Sequence, residues 1–481
     1  MESSQFLQKI TTWDANAARH ILSRTLFGFT KSDVDFALSK SLDDLVDNYL
    51  LTNQPQPATP TTIDTNSEWV TLPYDPTDPN NNTNFARYFT SLIYWWLNLM
   101  MNQGYSIRER LVLFLHNHFV SEANTVRIPQ FMYQQNKLFR DYSLGNFLDL
   151  TKKITIDPAM LLYLNGAQNT KNTPNENYAR ELMELFTLGI GNYTEDDIHN
   201  SAKALTGWRI NNSTLTSYFD KNFFADVSKT FLGQTGNFGY EDIVNIIFSH
   251  VDTSSNPIAA QFVCRKLYKE FVYYQPDANG EVYISQLADV FKTNNYESKP
   301  VLSTLLKSQF FHSQDVRGAK IKSPLHFLLT ALKQFQLNIN NDIFGYVRSA
   351  SALLSQDILN PPDVRGWQGQ RNWISTTTYP QRNTITDSII NGRKIGTTTL
   401  KVDVVAYART YSSSEKAVDF VNDVTAQLIQ FPLSQTRKDE LLQTMLDGAA
   451  VYDWSTYDPQ AASRLSKFFK ALMRLPEYQL S

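Results

Sequence analysis

From Asn84 almost to the C-terminus, apolar and polar positions recur with a helical period of about 3.6 residues, and strand-like alternation is scarce. The pattern predicts a mainly α fold, a compact multi-helix assembly with long loops and a few minor strands. The strands are expected at residues 218–224 and in TTTLKVDVVAYA from Thr397. Two proline-rich polar runs, NQPQPATPTTIDT from Asn53 and PYDPTDPNNNTN from Pro73, can sustain neither helix nor strand. They divide the chain into a helical region over 1–52 and a surface excursion over 53–84, built around a short ordered piece. A central helical domain over 85–395 follows, then a mostly helical C-terminal region over 396–481 packed on the core. No repeat of solenoid period is present.

Helix starts are legible. Ser106 with Glu109, and Thr173 with Glu176, have the spacing of capping boxes, in which a hydroxyl and a carboxylate satisfy each other's orphan amides. Pro174 and Gly189 frame TPNENYARELMELFTLG as one helix of about four turns. Thr194, followed by three acidic residues, starts the next helix, and Gly207 stops it. The run ILNPPDVRGWQGQRNWIST from Ile358 breaks the period, and its two tryptophans predict an ordered loop.

At about 100° per residue, Tyr178, Leu182, Leu185 and Phe186 share the core face of the 173–189 helix, and Asn177, Glu181 and Glu184 run along its flank. Glu181 is therefore expected to be partly buried, where a carboxylate needs a cation, a hydrogen bond or a metal. Arg180, four residues from both Glu176 and Glu184, reads as the centre of a surface ion-pair ladder. In SIRERLVLFLHNHFVSE, His118 extends the Ile107, Leu111, Phe114 seam, His116 lies opposite with Glu109, and Glu122 falls one turn beyond His118. Two readings stand: a core histidine bonded to a neighbour, or one divalent metal ion held by His118, Glu122 and Glu181 across two helices.

A net charge of -3, with no basic run, argues against nucleic acid as a partner. The most apolar window, residues 89–101, is too short for the roughly 20 residues of a membrane span, so no transmembrane segment is expected. Cys264, the single cysteine, rules out an internal disulfide and reads as a core residue. The first residues, MESSQFLQKITTW, lack the pattern of a secretory leader, which leaves two expectations: a cytoplasmic chain, or a leader cut away before Met1. Arg19, His20 and Arg24 near a helix end at Gly28 read as solvated charge or as an anion site. Trp208, Trp367 and Trp373 read as core aromatics or as a sugar platform. No nucleophile elbow, phosphate loop, zinc-protease or dinucleotide motif occurs.

The phrases RHILSRTLFGF, RERLVLFLHNHFVSE, DPAMLLYLNGAQNTKNTPNENYARELMELFTLGIGNYTEDDIHNSAKALTGW, KTFLG, FVCRKLYKEFV, LNPPDVRGW and LMRLPEYQ occur in this order. Together they resemble the bacterial domain-of-unknown-function family DUF1800 over nearly the whole chain. The resemblance implies an extracytoplasmic protein, often encoded beside a sulfatase-like partner and working on a polymer, glycan or ester. It carries over His118, Asn175, Glu176, Asn177, Arg180, Glu181, Glu184 and Trp208; Leu115 stands where a tryptophan is common.

The expectation that follows is a hydrolase or group-transfer enzyme for a carbohydrate-related or sulfate/phosphate-bearing substrate, its pocket between the Ser106 and Thr173 helices. Glu181 serves as general base or metal ligand, Glu184 and His118 as its partners, and Asn177 and Arg180 as substrate holders. Arg19, His20, Arg24, Trp208 and Trp367 are candidate substrate contacts. The competing expectation is a non-catalytic binding or assembly protein in which the same residues specify helix packing.

Overall fold

The computed structural model describes residues 2–481. Among them are 22 α-helices and three two-stranded antiparallel hairpins, so the chain is mainly α. The hairpins pair Trp208–Asn211 with Thr216–Phe219, Lys229–Phe231 with Gln234–Gly236, and Arg393–Ile395 with Thr398–Leu400. The expected strand at 218–224 is thus shorter and starts earlier. Of the run from Thr397 only the first residues are extended, because Asp403 caps a helix over Val404–Ala408 by accepting from the Ala406 amide.

The chain forms two compact units. The first comprises Val46–Ser308 with Ile358–Trp367 and the N-terminal residues through Lys9; the second comprises Ile10–Leu45, Gln309–Asp357 and Gln368–Ser481. The chain passes between the units at Lys9–Ile10 and again at Leu45–Val46. Between the two proline-rich runs, Trp69 is fully buried and stacks on Tyr88. The 89–101 window lies inside the helix Asn81–Asn102, its apolar side chains largely buried. Among the described residues no helix is long and apolar enough to cross a membrane. Cys264 is buried in the helix Ile258–Phe271, where burial pushes its thiol pKa up and keeps it an inert core residue.

In the first unit the core is aromatic: Phe119 contacts Phe139, Phe147 and Phe186, and Phe147 meets Phe248 and Phe291. The second unit has its own cluster of Phe335, Tyr407, Phe468 and Phe469.

Candidate functional site

The 173–189 stretch starts later than its spacing suggests. The helix runs over Asn177–Glu181 and continues as a π-helical turn over Leu182–Thr187, and no capping box joins Thr173 to Glu176. An asparagine relay replaces it. Asn169 accepts the Asn175 amide at 2.9 Å, and Asn175 accepts the Asn177 amide at 2.9 Å. Short polar side chains compete well for backbone amides, so the asparagines, and not Thr173 with Glu176, set this later start. The Leu188 and Gly189 amides both return to the Met183 carbonyl, and Gly189 has φ +81°, so the end at Gly189 is found as expected. The wider π turn breaks the 100° spacing after Leu182, and such turns recur at functional sites.

The ladder around Arg180 is also redrawn. Its guanidinium pairs bidentately with Glu195 at 3.0 and 2.9 Å and more loosely with Glu176 at 3.6 Å. Glu195 is the first residue of the helix Glu195–Ala204, which does carry a capping box, between Thr194 and Asp197. Glu176 also meets His199 at 3.2 Å. Glu184 instead accepts from the Tyr193 hydroxyl at 3.2 Å. Asn177 is exposed at the helix start.

His118 is sealed in the core at 5% exposure. Its Nε2 donates to the Phe186 carbonyl at 3.0 Å, its Nδ1 has no partner, and its ring is surrounded by Phe114, Phe119, Phe147, Phe186 and Phe262. Burial pushes its pKa down to about 3, and that of His116 likewise. The first reading of His118, a core histidine bonded to a neighbour, is the one found. Its helix ends at His118, so Glu122 is not one turn further along it; Glu122 accepts from Thr125 at 2.7 Å. Among the described residues no group of three His, Cys, Asp or Glu side chains could hold a metal ion. The divalent site expected from His118, Glu122 and Glu181 is not formed, because the apolar seam draws the imidazole into the core.

Glu109 forms no capping box with Ser106. It is buried, and takes Arg140 at 2.9 and 2.8 Å and the Trp96 indole at 3.0 Å.

What gathers is a different set. Glu181 is half-buried, and among the described residues no hydrogen bond or ion pair reaches its carboxylate. Burial raises its pKa, with Glu184 and Asp363 adding to the rise and Arg180 and Arg365 opposing it. Tyr163, at the end of the helix Pro158–Tyr163, is half-buried beside the same charges: burial with Glu122, Asp363 and Glu181 pushes its phenol up to about 12. Tyr193, beside Glu184, is likewise pushed up to about 12 by burial and that carboxylate. A half-buried carboxylate whose pKa is raised holds its proton to higher pH than a free one, which suits it to proton transfer.

Asp363 and Arg365 arrive on the 358–367 segment, which is fastened at both ends. The Leu359 carbonyl and the Asn360 side chain accept the Ala123 and Asn124 amides, each at 3.0 Å. Asn117 accepts the Trp367 amide at 2.7 Å and donates to its carbonyl at 3.2 Å. Gly366, at φ +75°, lies so close that a Cβ would sit 2.3 Å from the Asn117 side-chain oxygen. Gly366→Ala is expected to cost about 1–3 kcal/mol through strain and crowding. It should also speed hydrogen exchange at the Trp367 amide; unchanged exchange would reject the clamp.

Trp367 is buried beside His116, so it offers no sugar platform. Trp208 is half-buried against Phe219 and Tyr240. Arg19, His20 and Arg24 lie in the second unit; Arg24 is buried and donates to the Val316 carbonyl at 2.6 Å. Sequence reasoning missed Tyr163, Tyr193, Asp363 and Arg365. The signal for the last two was present in the LNPPDVRGW phrase, but nothing local tied it to Glu181.

A family model described as "Protein of unknown function (DUF1800)" matches residues 20–480. No curated protein and no solved structure matches the chain.

Proposed function

The chain belongs to the DUF1800 family, and on that premise we propose that it is an enzyme whose Glu181 transfers protons in hydrolysis or group transfer. The observation that supports this reading is the Glu181 carboxylate itself, half-buried and without a hydrogen-bond or ion-pair partner among the described residues. A side chain kept for packing would be paired or replaced by an apolar group, since desolvating an unpartnered carboxylate costs stability. Perturbed titratable groups of this kind concentrate at catalytic sites.

In this reading Glu181 donates a proton to the leaving group and Glu184, oriented by the Tyr193 hydroxyl, takes one from the nucleophile. The positive charge of Arg365, felt at Glu181, favours an anionic substrate group, and Arg180 is bound to Glu195. The substrate class remains carbohydrate-related or sulfate/phosphate-bearing. Work outside the cytoplasm and a sulfatase-like partner belong to the same proposal.

The test is hydrolysis of chromogenic glycosides, sulfates and phosphates by the wild type and Glu181→Gln. The variant is expected to lose about a hundredfold in kcat, in line with removal of a general acid or base. Its melting temperature should stay the same or rise, because no partner is stranded. A variant that turns over normally, or one that melts clearly lower, rejects the proposal.

A further inference from the structure

We propose that the second unit holds a binding site for an organic phosphate monoester, in a cavity where Arg19, Arg317 and Lys438 converge. The cavity measures about 580 Å³ and is lined by the helix Ala15–Thr25, the 314–317 turn and residues 425–438. That volume lies in the range of small-ligand sites and exceeds what a bare oxyanion fills.

Three cations face it and Asp315 is the one carboxylate on its wall, an excess of two positive charges. None of Arg19, Arg317 and Lys438 makes an ion pair within 4.0 Å among the described residues. His20, at the inner wall, adds no charge to them. It is neutral because burial and the nearby Arg24, His312 and Arg317 push its pKa well down, and its Nε2 is committed to the Phe311 carbonyl at 2.9 Å. Asp14 and Asp423 act on Arg19 from beyond ion-pair distance, yet none of the three cations has a carboxylate in contact among the described residues, and a dianion in the cavity would supply the missing counter-charge. A phosphate monoester is close to doubly charged above its second pKa of about 6.

The backbone fixes the cations in place. Arg317 spends its Nε on the His312 carbonyl at 3.0 Å, which leaves the Nη edge for the ligand. Gly318, at φ +63°, lets the chain approach so closely that a Cβ would lie 2.7 Å from the Phe431 backbone nitrogen. That contact holds Arg317 beside residues 429–433. Ile429, Phe431 and Leu433 give this side an apolar wall, suited to the organic part of an ester and useless to a free ion.

The site is independent of the Glu181 reading, so binding is measured in both the wild type and Glu181→Gln, where turnover cannot mimic it. Phenyl phosphate, titrated by calorimetry at pH 7.5 and low salt, is expected to bind once per chain and about tenfold tighter than inorganic phosphate. Lys438→Gln and Arg317→Gln should each weaken it by about tenfold, while Arg265→Gln, a surface cation paired with Glu281 in the first unit, should not. Lys438 is half-buried with no hydrogen bond to lose, so its variant keeps the test clear of misfolding. Absence of saturable binding, equal affinity for inorganic phosphate, or wild-type affinity in both variants would overturn the proposal.

Discussion

Glu109→Gln is expected to destabilise the first unit by about 3–5 kcal/mol, which lowers its melting temperature by on the order of 10 °C. The side chains of Arg140 and Glu109 are 0% and 2% exposed, and the two bonds between them are backed by the Trp96 indole. An amide in place of the carboxylate removes the counter-charge and turns one hydrogen-bond acceptor into a donor facing donors. The Arg140 guanidinium, with Nη1 already unpartnered and its plane over Trp95, then stays buried and charged. Replacing both partners, Glu109→Leu with Arg140→Met, should restore most of the loss, because an apolar pair of similar volume often matches a buried ion pair. Thermal melts of the single and double variants decide it: a single variant that melts with the wild type sinks the argument.

Asp157→Asn is expected to act in the opposite direction, raising stability by up to about 4 kcal/mol at pH 8 and leaving it unchanged near pH 4. Burial lifts the Asp157 carboxyl to about 7, against the pull of the Met160 amide and Gln135. In the unfolded chain the same group titrates near 3.9. Between those values the folded state holds a proton that the unfolded state has released. Its contribution is therefore complete below about pH 4 and is lost as pH rises through 7, by about 1.4 kcal/mol per unit. Both the Met160 amide and the Gln135 side chain donate to the same oxygen, Oδ1, at 3.0 and 2.8 Å. Asparagine can present that oxygen and keep the helix cap. Urea denaturation across pH 4–8 should show the two proteins converging in acid and separating in base; a constant gap would rule the account out.

The sequence made the helical class readable, because a 3.6-residue period survives in almost every segment and few runs alternate. Thr194 as a cap and Cys264 as core were readable for the same local reason. The start of the Glu181 helix was not. Thr173 and Glu176 have the right spacing, yet Asn169, which orders the start, acts from six residues before Asn175 and is itself held by the Ala202 carbonyl. Two readings of His118 stayed open because helical spacing cannot tell a seam that binds from a seam that seals. Glu181 was marked correctly as half-buried, since an angle on a helical wheel is a local property. Its neighbours Tyr163, Asp363 and Arg365 come from distant segments, which periodicity does not relate.

The division of the chain also sets a timetable for synthesis. The Ile358–Trp367 segment belongs to the first unit, but residues 309–357, which belong to the second, are made before it. At ~5–20 residues per second the ribosome needs several seconds to pass from Ser308 to Trp367. Through that interval Asn117 waits without the backbone it clamps, and Glu181 stands beside neither Asp363 nor Arg365. The surroundings of Glu181 are thus completed only after residues 309–357 of the second unit have been made.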